Sequence, residues 1–368
     1  MDAITIFLFI CGFVLLVGGA EILVRGASQL AIMAGIPTLV IGLTIVAYGT
    51  SSPELAVTVQ STLAGNADLA IGNIVGSNIA NILLILGISA TIVPLFVSQQ
   101  LVRLDVPLMI GISILLLILG LDGTIDRSDG VLLLCGALAY TAFTIYQGRK
   151  DNQTASDEVP QPFDLDQRRR RSVMIGASLG LVVIGLIMLV VGSQWMINGA
   201  ITIAKLFGVS ELVIGLTIVA IGTSLPEIAT SVAACLKGER DLAVGNAIGS
   251  NIFNILLVIG MCGAIAPNGV PVANSALRFD IPIMIAVAAA CLPIFFTGFR
   301  ILRQEGILFL VYYAAYTLYL FFKATEHDAL DEFGAIMLVF VVPITFLTLI
   351  VLAIQAVRDG RHRRRTRE

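Results

Sequence analysis

A block written twice restricts this chain more than any other feature. The hexapeptide GTSSPE at 49–54 recurs as GTSLPE at 222–227, each inside a long apolar run. The match extends outward. Leu43–Ala47 reads LTIVA, as do residues 216–220, and GNxxGSNIxNILL runs over both 72–84 and 245–257. Arg103-x-Asp105-x-Pro107 has its counterpart in Arg278-x-Asp280-x-Pro282. A self-similar chain folds as two copies of one unit. A charged side chain at the centre of a bilayer costs about 2.5–3.5 kcal/mol on insertion scales, so Glu54 and Glu227 are functional candidates from the outset.

Charged residues are 13% of the 368 and hydrophobic ones 57%. A soluble domain carries about 25% charge, so the chain is polytopic and membrane-spanning. With a ruler of about 20 apolar residues per span, helices fall near 3–24, 38–64, 69–95, 104–121 and 130–147, then near 172–197, 211–236, 242–266, 279–298, 305–323 and 333–357. Met1-Asp2 leads straight into the first of them, with no leader-and-cleavage pattern. The fold class expected is an all-α membrane protein of two inverted five-helix repeats plus an extra C-terminal transmembrane helix. Five spans per copy is odd, so the second copy enters from the opposite side, and such repeats place a transport site at the midplane. The units are 1–148, a linker at 149–171, 172–323, and 324–368 with the extra helix and a basic tail.

Lys and Arg set the orientation. A cytoplasmic linker puts Arg25, Arg103, Lys237, Arg240, Arg300 and Arg303 inside with the RRRR run at 168–171 and the tail, leaving Arg127, Lys205, Arg278 and Lys323 outside. This predicts a plasma (inner) membrane protein with its N-terminus outside and C-terminus in the cytoplasm. The basic runs read as topology determinants facing the lipid bilayer, with no aromatic interleaving to suggest nucleic acid. Nothing bears on oligomeric state. The five cysteines lack metal-ligand spacing, and the two histidines, His327 and His362, lie in polar stretches. That excludes a His-based metal or nucleophilic centre in the membrane, and no protease motif appears, so the chain reads as no enzyme and takes no cofactor.

In the second helix Ala47, Thr50, Ser51 and Glu54 share one face. Pro53 lacks an N–H and clashes with the carbonyl of Gly49, so the helix should kink or break over 49–53. Carbonyls of Ala47 and Thr50, hydroxyls of Thr50 and Ser51, and the Glu54 carboxylate then become available. The second copy offers Ala220, Thr223, Ser224 and Glu227. In the next helix Asn73, Ser77 and Asn81 form a stripe flanked by Gly72 and Gly76, repeated as Asn246, Ser250 and Asn254 with Gly245 and Gly249. For Asn73 and Asn246, ligation and interhelical hydrogen bonding stand level; Asn78 and Asn251, off the stripe, read as interhelical hydrogen bonding or capping. Asp105 and Asp280 read as helix-start residues before Pro107 and Pro282. All the donors are oxygens, which selects hard cations such as calcium or sodium over transition metals.

At these residues the chain resembles the cation/calcium exchanger superfamily, specifically the prokaryotic-type sodium/calcium exchangers. Residues 38–87 and 211–260 look like that family's paired α-repeats, and the likeness covers roughly 3–323. It implies electrogenic sodium/calcium antiport by alternating access, with the first helix of each half sliding as a gate. It also implies that Glu54 and Glu227 bridge calcium and share sodium. Thr50, Thr223, Ala47 and Ala220 would give carbonyls, and Ser51, Ser224, Ser77, Ser250 and Asn81 side-chain oxygens. Many relatives carry Asp where this chain has Asn254, which argues against potassium dependence. The proton-coupled branch usually shows Gly-Asn before its acidic motif; Gly-Thr-Ser here favours sodium, with a proton/calcium exchanger as the alternative.

Overall fold

The computed structural model describes residues 3–155, 165–207, 220–296 and 298–325, with 327 and 330. Residues 211–219, at the start of the expected seventh helix, residues 156–164 of the linker, the helix expected at 333–357 and the basic tail lie outside the described residues.

Among the described residues the chain is almost wholly helical. We number the helices α1 (Ala3–Ala34), α2 (Thr38–Thr50), α3 (Ser52–Leu63), α4 (Leu69–Ile92), α5 (Leu101–Asp122), α6 (Arg127–Ala155), α7 (Leu165–Leu206), α8 (Ala220–Thr223), α9 (Leu225–Leu236), α10 (Arg240–Ile265), α11 (Ala276–Phe296) and α12 (Arg303–Ala324). Eight are long and apolar enough to cross a bilayer, and α2 with α3 makes a ninth span bent by 44°. This is an integral membrane protein with multiple spans.

Burial separates the helices into a centre and a periphery. The most apolar windows of α4 and α10 are 72% and 78% buried, against 28% and 22% for α1 and α7. α10 lies against α2, and α3 and α9 pack on α4 and α10 respectively. α1 and α7 lie along one another outside this core. With 32 residues, α1 is about 48 Å long at 1.5 Å per residue, well over the roughly 30 Å hydrocarbon core. It extends past the expected end at residue 24 and must tilt or project. Glu21 near its middle is paired with Lys237 at 3.3 Å.

The two copies are joined at both ends by short strands. β1 (Leu95–Phe96) pairs with β4 (Arg300–Ile301), and β2 (Thr124–Ile125) with β3 (Val270–Pro271), both antiparallel. Each pairing joins one copy to the other, so they are exchanged when the copies are interchanged.

Asp105 and Asp280 are not at helix starts. α5 and α11 begin earlier, at Leu101 and Ala276, and each Asp closes a π-helical turn, Leu101–Asp105 and Ala276–Asp280. Pro107 and Pro282 then fall within continuous helix, and the extra residue of the π turn accommodates a proline that would otherwise clash. Asp105 is fully buried and accepts a hydrogen bond from the Tyr140 hydroxyl at 3.1 Å.

Candidate functional site

α2 ends at Thr50 and α3 begins at Ser52, so the break falls on Ser51, with φ −79° and ψ 8°. Ser224 between α8 and α9 has nearly the same backbone, φ −86° and ψ 6°. Both sit in the sparsely populated bridge region, where many active-site residues are found. Pro53 and Pro226 lie in the first turn of the helix that follows, where a proline's missing N–H costs nothing. The break also puts Glu54 and Glu227 in the first turn of α3 and α9, at the positive end of the helix dipole.

The two carboxylates meet across the interface between copies. Ser51 Oγ donates to Glu227 Oε1 at 3.3 Å, and Ser224 Oγ donates to Glu54 Oε1 at 3.4 Å. Both Glu side chains are 1% exposed. Thr50 lies beside Glu227, and Ser77 beside Glu54. Among the described residues no cluster of three or more His, Cys, Asp or Glu exists, so these two carboxylates supply the negative charge here.

Oxygen accounting sharpens the picture. Buried polar groups almost always find hydrogen-bond partners, so exceptions call for explanation. Among the described residues, Glu54 Oε2, Glu227 Oε2, Ser77 Oγ, Ser250 Oγ, Asn81 Oδ1 and Asn254 Oδ1 are buried with no protein partner, as are single atoms of Ser28, Thr62, Ser89, Gln100, Asp105, Thr144 and Thr230, none of which has its repeat counterpart in the same state. The first six form three symmetry-related pairs, all oxygens, all on residues the sequence singled out. Asn81 and Asn254 each open a π-helical turn, Asn81–Leu86 and Asn254–Ile259, a feature frequent at functional sites.

The other candidates are placed differently. Thr50 Oγ1 donates to Asn246 Oδ1 at 3.0 Å, and Asn246 Nδ2 donates to Ser231 Oγ at 3.1 Å. Both ends of the Asn246 amide thus make interhelical hydrogen bonds, leaving its oxygen one lone pair. Asn73 Nδ2 donates to Thr58 Oγ1 at 3.0 Å. The Ala47 carbonyl accepts the Ser51 N–H at 3.1 Å, leaving it one lone pair. In the second copy the Ser224 N–H goes instead to Ile221, three residues back. Ala220 and Thr223 bound α8. A Cβ on Gly249 would lie 2.8 Å from the Leu43 carbonyl, so this glycine lets α2 and α10 approach backbone to backbone.

Asn78 and Asn251 form a reciprocal pair that stripe spacing alone does not reveal. Asn78 Nδ2 donates to the Asn251 backbone carbonyl, and Asn251 Nδ2 to that of Asn78, both at 3.2 Å. Their side-chain oxygens accept from Asn254 Nδ2 at 3.0 Å and Asn81 Nδ2 at 2.9 Å.

The profile of the family described as sodium/calcium exchanger protein matches residues 4–146 and 177–322. The chain is 41% identical over 325 residues to the putative antiporter CaxA of Alkalimonas amylolytica, covering 86% of this chain and 98% of that one. It is 30% identical over 353 residues to the sodium/calcium exchanger MaX1 of Methanosarcina acetivorans, covering 88% and 100%. The solved structure of the sodium-calcium exchanger NCX_Mj, soaked with 10 mM Na+ and no Ca2+, superposes with a TM-score of 0.73 at 31% identity, covering 85% and 98%.

Proposed function

This chain belongs to the sodium/calcium exchanger protein family, and from that premise we propose that it is a secondary antiporter exchanging sodium for calcium by alternating access. The family is one of transporters, and cation/calcium exchange is its activity. The finer reading rests on one observation: six buried oxygens without protein partners belong to residues around two cross-bonded carboxylates.

Calcium takes 6–8 oxygens in flexible geometry. Glu54 and Glu227 supply two negative charges, and Ser77, Ser250, Asn81 and Asn254 four neutral donors. Thr50, Thr223, Ser51 and Ser224 line the same break, with the carbonyls of Ala47 and Ala220 one turn away. Two carboxylates sharing one pocket repel by several kcal/mol at an effective dielectric of about 20. One calcium or two sodium ions cancel that repulsion, and competition for the same oxygens couples the two ions. Hydroxyls at Thr50, Ser51, Thr223 and Ser224 suit sodium, and the amide at Asn254 leaves no third charge for potassium.

In this reading the core is ten helices in two inverted five-helix repeats, 1–148 and 172–323, joined by a cytoplasmic linker at 149–171. Residues 324–368 add a further helix and a cytoplasmic tail. The N-terminus faces outward across the plasma membrane, as the Lys and Arg distribution favours. α1 and α7 are the moving pair. Glycines let their backbones touch: a Cβ on Gly12 would lie 2.8 Å from the Gly192 carbonyl, and one on Gly185 2.9 Å from the Gly19 carbonyl.

The test is calcium uptake into proteoliposomes under sodium, potassium and proton gradients applied separately. Uptake driven by sodium alone is expected. Uptake driven by protons and indifferent to sodium would overturn the sodium assignment.

A further inference from the structure

The six unpartnered oxygens raise a question of orientation. An asparagine amide is nearly symmetric in shape, so Asn81 and Asn254 could each present nitrogen, a donor that repels cations, or oxygen, an acceptor that binds them. Something must decide between the two.

The deciding constraint is a backbone carbonyl, which only accepts. Asn78 meets the Asn251 carbonyl at 3.2 Å and therefore presents Nδ2 to it. The second Asn78 N–H points to Met284 Sδ at 3.5 Å, a weak acceptor. Both N–H groups are then spent, and Oδ1 must face the other way, toward Asn254. Only a donor can meet it there, and Asn254 Nδ2 does so at 3.0 Å. With its nitrogen held, Asn254 turns Oδ1 to the side where no protein group meets it. The other copy repeats the sequence of constraints. Asn251 Nδ2 donates to the Asn78 carbonyl at 3.2 Å and to Met109 Sδ at 3.5 Å, and Asn251 Oδ1 accepts from Asn81 Nδ2 at 2.9 Å. All four asparagines are buried.

We propose that Asn78 and Asn251 are positioning residues that fix the amides of Asn81 and Asn254 with oxygen toward the cation, each copy setting the ligand of the other. This rests on the cation reading above but not on which ion drives exchange. It gives the asparagines at 81 and 254 a reason: a carboxylate at either position would set oxygen against the Asn251 or Asn78 oxygen and would need a proton to stay. The two copies thereby hold each other to neutral donors, leaving Glu54 and Glu227 as the charged pair.

The test is the Kd for calcium of the purified full-length protein, by equilibrium dialysis with radioactive calcium, beside its thermal midpoint. Asn78→Leu and Asn251→Leu remove the acceptor at constant bulk. Asn78→Ser removes it while staying polar, should the leucine variants not fold. All three are expected to weaken calcium binding roughly 10–100-fold, the usual effect of losing a group that orients a metal ligand. Asn78→Asp, protonated so that its hydroxyl donates to the Asn251 carbonyl, keeps its other oxygen toward Asn254 Nδ2 and should bind within about threefold of wild type. A merely structural role would lower the thermal midpoint in all four and separate none by affinity. Serine or leucine variants that bind like wild type, or an aspartate variant as weak as leucine, would overturn the proposal. Wild-type protein that holds no calcium would overturn the cation reading and this inference with it.

Discussion

Glu54 and Glu227 are the residues on which the account turns. Glutamine at either position keeps the shape and leaves an oxygen for the serine that bonds it, Ser224 or Ser51. What is lost is one of the two charges of the proposed cation site, a loss worth about 2–5 kcal/mol in buried charge pairs. Glu54→Gln and Glu227→Gln should therefore each lower calcium exchange by about 30-fold or more. The thermal midpoint should hold or rise, because one member of a buried like-charged pair is gone. Radioactive calcium flux and thermal unfolding of the same preparations check both parts. At this scale the sequence was informative where chemistry is local. A carboxylate in an apolar run is conspicuous alone, and its duplication more so. Asn78 and Asn251 were harder to read, because their partners lie in the opposite copy and helical spacing gives a face but not what the face meets. Asn246 was open for the same reason, and its partners are Thr50 and Ser231.

At the scale of the element, local chain stiffness was legible and helix register was not. Gly49 and Pro53 marked the break that the structure puts at Ser51. The π-helical turns ending at Asp105 and Asp280 have no such signature, so helices that begin at Leu101 and Ala276 read as starting later. The lengths of α1 and α7 were also underread, because a ruler set to one bilayer crossing stops too early on an oblique helix. A signal for their contact was present: glycines recur every seven residues at 12, 19 and 26, and at 185, 192 and 199. Gly185 tests what that contact does. A Cβ there would meet the Leu23 nitrogen at 2.7 Å and the Gly19 carbonyl at 2.9 Å. Both are backbone atoms with no rotamer to yield, so Gly185→Ala must push α1 from α7, at about 1–3 kcal/mol. Exchange turnover should fall while the KM for calcium stays within about threefold, as the Glu pair lies on other helices. Flux measured over a range of calcium concentrations separates the two effects.

At the scale of the molecule, duplication is the organising fact. The hydrogen bonds between copies around the two glutamates and the four central asparagines come in exchanged pairs: Ser51 with Glu227 and Ser224 with Glu54, Asn78 with Asn251 in both directions, Asn81 with Asn251 and Asn254 with Asn78. The strand pairings follow the same exchange. Neither copy holds a complete site, since each carboxylate is bonded by the other copy's serine. Under the proposed function, a rearrangement between copies would reach the cation directly: any relative shift of the halves alters oxygens contributed by both. Repetition of the motif was plain in the sequence, whereas the crossing of its bonds from one copy to the other needed coordinates. The most direct measurement is anomalous diffraction from crystals soaked in calcium or strontium at low sodium. We expect a single strong peak with oxygens of both Glu54 and Glu227 within about 2.3–2.6 Å for calcium, lost in Glu54→Gln crystals. A peak bound by one of the two carboxylates alone, or none between them, would contradict a shared site.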